Sequence, residues 1–200
     1  MFTGIIEEIG QVINIVKEKS NVHFDIKANM ANELKVDQSV AHNGICLTVV
    51  SIDKSDKVYR VTAVDETLKK TNLGTLKENS LINLERGALI NTRLDGHIVQ
   101  GHVDQTAKCI QADENDGSWT YRFEYDSKLQ NITIEKGSIT VNGVSLTVVD
   151  SDINSFSVAI IPFTYENTTF KTLNVGDVVN LEFDVIGKYV KRLLDVKNAQ

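Results

Sequence analysis

The sequence repeats itself. Residues 39–50 (SVAHNGICLTVV) and 138–149 (SITVNGVSLTVV) agree at seven of twelve positions, with Ser39, Asn43, Gly44, Leu47, Thr48, Val49 and Val50 recurring 99 residues later. Upstream, residues 4–8 (GIIEE) meet 101–105 (GHVDQ) at a spacing of 97. Downstream, Thr67, Thr71, Asn83, Leu84 and Glu85 meet Thr164, Thr168, Asn180, Leu181 and Glu182, again at 97. Collinear blocks of this kind are the signature of a duplicated folding unit. The change of spacing means two residues gained before the shared block and two lost after it, and indels that small belong in surface loops. The 200 residues therefore divide into halves 1–96 and 97–184 and a tail 185–200.

Each half reads as β. Apolar or aromatic residues recur at every second position in residues 58–64, 119–125 and 155–161, and Asn43-Gly44, Asp116-Gly117 and Asn142-Gly143 supply turn signals between such runs. Some six short strands per half predict a small closed barrel, because closure removes the exposed edges that an open six-stranded sheet would present. Residues 27–34 and 66–73 have helical or mixed character, with Gly74 as a stop. From Val185 onward, Ile186, Tyr189, Val190, Leu193 and Leu194 fall at helical spacing opposite Lys188, Lys191, Arg192 and Asp195. This amphipathic helix has no counterpart in the first half, so its stripe must be buried against the barrels or in an oligomer seam.

Several functions are disfavoured by composition. Lys plus Arg number 21 against 27 Asp plus Glu, a net charge of −6 that repels a phosphate backbone, so no nucleic acid is expected as a partner. No apolar run approaches the ~20 residues of a membrane span. Cys46 and Cys109 stand in no metal-like spacing, and the opening MFTGIIEEIG lacks the basic region of a secretory signal, which points to a reducing, cytoplasmic setting. GxGxxG, Walker, GxSxG and CxxC motifs are missing.

Chemistry concentrates in two places. Strand alternation puts Ile45, Leu47 and Val49 on one face of the repeated block and Cys46 and Thr48 on the other; in the second half Ser145 and Thr147 likewise oppose Val144, Leu146 and Val148. A solvated outer face would explain one such polar pair, but recurrence directly after Asn-Gly in both halves favours a site. The second place is residues 96–104 (GHIVQGHVD). His97 and His102 are five apart and would face opposite sides of a regular strand, which argues against a metal site. Gln100, His102 and Asp104 would share a face unless a bulge at Gly101 intervenes. His102 is thus a candidate proton carrier.

MFTGIIEE, NGICLTVV, GHIVQGHVD, NGVSLTVV, IPFTYENTT and VVNLEFDVIGKYVKRLL together resemble the riboflavin synthase family of two-barrel type, over residues 1–194. The resemblance implies an all-β fold of two similar six-stranded Greek-key barrels plus a C-terminal α-helix that gathers three chains into a homotrimer. It implies conversion of two 6,7-dimethyl-8-ribityllumazine molecules into riboflavin and 5-amino-6-ribitylaminouracil without a cofactor, and it admits association with lumazine synthase. By resemblance the N-barrel site falls on Gly4, Ile5, Ile6, Ser39, Cys46, Leu47, Thr48, the stretch Thr62, Ala63, Val64, Asp65, Glu66 and Thr67, and Gly101, His102 and Val103. The C-barrel site falls on Lys136, Ser145, Leu146, Thr147, Ile161, Pro162, Phe163, Thr164, Tyr165, Glu166 and Asp184.

The expected chemistry has His102 and Thr48 transferring protons while Cys46 or Ser39 serves as nucleophile or hydrogen-bond donor, with Ser145, Thr147 and Asp184 acting in the second barrel. Two positions depart from the family pattern: Asp95 stands where a glycine is usual, and Phe163 where His or Glu is common. A rival expectation is a lumazine-binding antenna protein of the same ancestry, which catalyses nothing. Such relatives lose the Cys and His of the N-barrel motifs, which are present here.

Overall fold

The computed structural model describes residues 1–91 and 93–198. Two barrels account for most of them. The first contains β1 (Glu8–Glu18), β2 (Asn21–Lys27), β3 (Ser39–His42), β4 (Ile45–Asp53), β5 (Val58–Ala63) and β6 (Leu81–Arg86), closed in the order β1-β2-β5-β4-β3-β6. The second contains β7 (Gln105–Glu114), β8 (Trp119–Tyr125), β9 (Ser138–Val141), β10 (Val144–Ser151), β11 (Ser155–Ile160) and β12 (Val178–Phe183) and closes in the equivalent order. All strand pairs within the barrels are antiparallel.

The same devices bend both sheets. Register slips at Val12/Asn14 and Val49/Ser51 in the first barrel recur at Cys109/Gln111 and Val148/Ser151 in the second. Such bulges increase local twist, which lets so few strands close on themselves. The Asn-Gly turns sit at left-handed angles, Asn43 and Asn142 at φ 46° and Gly44 and Gly143 at φ 81°, the geometry of a tight hairpin.

Alternation fills the interiors. In β5, Tyr59, Val61 and Ala63 point inward and Val58, Arg60 and Thr62 outward. The first core is largely aliphatic, whereas the second carries Tyr121, Phe123, Tyr125, Phe156, Phe170 and Phe183. Each such ring contributes roughly 1.5–3 kcal/mol by leaving water.

The helical segments are shorter than their patterns suggest. Residues 27–34 hold one 3-10 turn, Asn29–Asn32. Helix α1 (Asp65–Lys70) ends before Gly74, which lies inside a following 3-10 turn capped by Thr71. Its equivalent α2 (Pro162–Asn167) starts on proline, whose missing N–H costs nothing at a helix start. Helix α3 (Val185–Asn198) leaves its stripe uncovered: Ile186 is 62% exposed, Tyr189 71% and Leu193 70%. Burial against the chain's own barrels is therefore not what the structure shows.

Asparagines join the barrels about a pseudo-twofold axis. Asn83 donates its side-chain amide to the Asn142 carbonyl at 2.9 Å, and Asn180 donates to the Asn43 carbonyl at 2.9 Å. Their side-chain oxygens accept from the backbone of the opposite half, Asn83 from Thr169 N–H at 2.8 Å and Asn180 from Asn72 N–H at 2.7 Å. A Cβ on Gly44 would lie 2.8 Å from the Gly143 nitrogen. The two turns meet backbone to backbone, which only glycine allows.

Candidate functional site

Both polar pairs lie where expected. Ile45, Leu47 and Val49 are buried in the first core, Cys46 is half-buried and Thr48 exposed; Ser145 is half-buried and Thr147 exposed on β10. Ser39 is the cross-strand partner of Thr48, and Ala41 of Cys46. In the second barrel Ser138 faces Thr147 and Thr140 faces Ser145.

Residues 96–104 do not form the expected strand. A lone bridge pairs Phe2 with Val99, and Gly101 takes φ 80°, so the alternation that would align Gln100, His102 and Asp104 is broken. The segment is instead a strap across the first barrel. Cys46 N–H donates to the Gly101 carbonyl at 2.8 Å, and a Cβ on Gly101 would stand 2.7 Å from the Cys46 Cβ. The N-terminal segment mirrors it, with Ser145 N–H donating to the Gly4 carbonyl at 2.7 Å.

This crossing corrects one grouping. Gly4 and Ile6 were expected with the first barrel, yet Gly4 abuts Ser145 and Ile6 packs on the second core; Val103 conversely packs on the first. The reason is chain economy. Each segment runs along its own last strand and then leans over the neighbouring barrel. Ile5 alone of the three stays on the first barrel's side, beside Gln38 and Arg86.

Two buried carboxylates clamp the straps. Glu182 accepts from the N–H groups of Gln100, Gly101 and His102 at 2.6, 2.9 and 2.9 Å. Glu85 accepts from Thr3 N–H and Oγ1 and from Gly4 N–H at 2.6, 2.8 and 3.0 Å. Burial raises both pKa values, and the donated hydrogen bonds oppose that rise. His102 is exposed beside its clamped backbone.

The remaining candidates have plain local roles. Thr62 is bonded to His23 Nδ1 at 2.9 Å, Asp65 and Glu66 pair with Lys69 and Lys70 along α1, and Ala63 is buried while Val64 is exposed. Thr67 and Thr164 give their carbonyls to the hydroxyls of Thr71 and Thr168. Leu47 is buried and Leu146 half-buried in their cores. Tyr165 stacks on Trp119 with ring centroids 3.8 Å apart and planes 2° from parallel. Ile161, Pro162 and Phe163 are exposed, Phe163 at 74%, so no core claims that ring; the Glu166 carbonyl accepts from Lys171. Lys136 bonds through its N–H to the Val148 carbonyl, and Asp184 caps α3 through Ile186 N–H at 2.9 Å. Asp95 takes φ 52°, the conformation glycine adopts without cost.

One residue was missed. His97, only 8% exposed, places Nδ1 2.7 Å from Ser145 Oγ and Nε2 3.2 Å from Thr140 Oγ1. The strand assumption hid it, because His97 precedes the bridge and turns toward the second barrel. In the sequence only its place directly after Gly96 marks it, which is a weak signal. Among the described residues no group of three or more His, Cys, Asp or Glu could hold a metal ion, and no helix is long and apolar enough to cross a membrane.

The family model for the lumazine binding domain matches twice, at residues 3–87 and 100–184. Riboflavin synthase of Actinobacillus pleuropneumoniae is 44% identical over 200 residues, covering 100% of this chain and 92% of the relative. That of Bacillus subtilis (strain 168) is 39% identical over 199 residues, covering 99% and 92%. Among solved structures, LumP complexed with 6,7-dimethyl-8-(1'-D-ribityl) lumazine superposes with a TM-score of 0.82 at 21% identity, covering 91% of this chain and 98% of that one. LumP complexed with riboflavin gives 0.81 at 22% identity, covering 92% and 99%; at these identities the likeness speaks for the fold alone. Two matched domains, near-complete coverage and two barrels with equivalent strapped strands lead to one conclusion: the chain belongs to the riboflavin synthase family.

Proposed function

We propose that the chain catalyses the riboflavin synthase reaction, in which one 6,7-dimethyl-8-ribityllumazine gives a four-carbon unit to another to form riboflavin and 5-amino-6-ribitylaminouracil. The observation that carries this reading is the duplicated strap and strand. A reaction between two molecules of one substrate needs two sites of the same shape, and the fold presents Cys46 under the strap at Gly101 and Ser145 under the strap at Gly4. Strand ends and straps offer backbone N–H and C=O groups to the edges of a flat ring without side-chain entropy cost.

The substrate is its own electron sink, so the protein's task is orientation and proton transfer. A C7 methyl loses a proton in one lumazine, a nucleophile adds at C7 of the other, a carbon–carbon bond forms, and two eliminations release the products. Cys46 or Ser39 supplies the addition and His102 with Thr48 the proton transfer at the first barrel. Ser145, Thr147 and Asp184 serve the second, with Lys136 and residues 161–166 binding its ring.

The exposed stripe of α3 supports self-association as a homotrimer, in which one chain's first barrel faces a neighbour's second. A cytoplasmic setting and association with lumazine synthase complete the reading. The deciding experiment mixes the purified protein with the lumazine alone and follows the riboflavin spectrum. Conversion supports the enzyme, whereas a shifted lumazine fluorescence without conversion supports an antenna.

A further inference from the structure

The buried imidazole of His97 has no part in the chemistry above. It spans a cross-strand pair, Thr140 on β9 and Ser145 on β10, with one ring nitrogen on each hydroxyl at 3.2 and 2.7 Å. Its backbone is fixed as well, since His97 N–H donates to the Thr3 carbonyl at 3.1 Å. At Gly96 a Cβ would fall 2.0 Å from that carbonyl and 3.1 Å from Ser145 Oγ, so the approach depends on glycine. The equivalent pair in the first barrel is Cys46 and Ala41, covered by Phe2 and Val99 and offering no polar partner. The arrangement is thus particular to the second barrel.

We infer that His97 is the positioning residue and proton relay of Ser145. The inference rests on the reading that Ser145 faces a bound lumazine. With Nε2–H given to Thr140 Oγ1, Nδ1 accepts the Ser145 hydroxyl. When Ser145 Oγ takes a proton from the bound ring system, its own passes to Nδ1; the imidazolium so formed returns it by the same path when a later intermediate is protonated. No net proton is consumed and no oxidant is needed. Only a neutral ring can accept, and burial lowers the His97 pKa against the opposing charge of Asp184. Asp184, at the start of α3, is the charged group that acts on the ring; the flanking elements offer the hydroxyls of Thr140 and Ser145 and the Thr3 carbonyl.

The test compares wild type, His97→Gln and Ser145→Ala by steady-state turnover of the lumazine across pH, with folding checked by circular dichroism. His97→Gln should lower kcat by about 100-fold, the lower end of proton-transfer contributions, while KM changes less than about threefold. In a His102→Gln background, which removes the other proton-transferring imidazole, the acid limb of the kcat profile should vanish in both variants, and the double variant should be no slower than Ser145→Ala, as for groups that act as a unit. Wild-type kcat in His97→Gln, or an acid limb that persists in it in that background, overturns the relay. If His97→Gln does not fold, the limb in Ser145→Ala decides, its persistence counting against the relay and its loss for it. Failure of the underlying reading looks different: if Ser145 faces no lumazine, Ser145→Ala keeps wild-type turnover and lumazine affinity, and if the chain is no synthase, wild type itself makes no riboflavin.

Discussion

Sulfur in Cys46 and oxygen in Ser145 occupy the same place in the two halves, each under its strap. A thiol ionises far more readily than a hydroxyl and is the better nucleophile. Cys46→Ser would make the halves alike at this atom and should lower kcat by at least about tenfold with little change in melting temperature; full turnover in that variant would remove Cys46 from the chemistry. His42 is a different kind of residue. It is wholly buried, its Nδ1 donates to the Val40 carbonyl at 3.0 Å, and Tyr59 donates to Nε2 at 2.8 Å. Burial lowers its pKa from 6.5 to about 4. Between those values the unfolded chain holds a proton that the folded chain refuses, so stability falls as pH drops from about 6.5 to about 4 and levels off below. This one ring accounts for on the order of a few kcal/mol. Glu85 and Glu182, raised by burial, act in the opposite sense. The quantity to measure is therefore the difference in urea midpoint between wild type and His42→Gln at pH 7 and pH 5, expected to shrink at the lower pH.

Among the elements, the straps are the most exacting. Gly101 combines φ 80° with a Cβ position 2.7 Å from Cys46, whereas Gly117 has φ 88° and nothing within 4 Å. Gly117→Ala should cost only the ~1–2 kcal/mol of a left-handed residue. Gly101→Ala should cost more and should displace Cys46, which thermal melts of the two variants beside their turnover would reveal. The strands themselves were legible, because alternation in residues 58–64 and 119–125 and the Asn-Gly turns are local signals. So were Cys46/Thr48 and Ser145/Thr147, whose facing follows from strand period. The straps were not, since a segment held by one bridge and a distant carboxylate carries no period. For that reason the sequence pattern places Gly4 and Ile6 with the first barrel and leaves His97 unmarked, although its partners Thr140 and Ser145 lie only 43 and 48 residues away.

For the whole molecule, α3 is the one described helix of more than six residues, and it is amphipathic with its apolar side in water. Leaving Leu193 at 70% and Tyr189 at 71% exposed is costly for an isolated chain and rewarding for an assembly. Wild type should sediment at three times 22.2 kDa, and Leu193→Glu with Tyr189→Glu should sediment at 22.2 kDa with both barrels still folded. A variant that remains trimeric would place the seam elsewhere. If the first barrel of one chain faces the second of its neighbour, that dispersal should also abolish turnover while sparing lumazine binding.

The crossed straps set the terms on which the two halves can evolve. Because Glu85 and Gly4 of the first half shape the surroundings of Ser145, and Glu182 and Gly101 of the second shape those of Cys46, a mutation in either repeat is felt in the other's site. Neither copy is free to drift as duplicated sequences usually are. One half can specialise only through changes that its twin tolerates, so selection sees the pair as a single inherited unit.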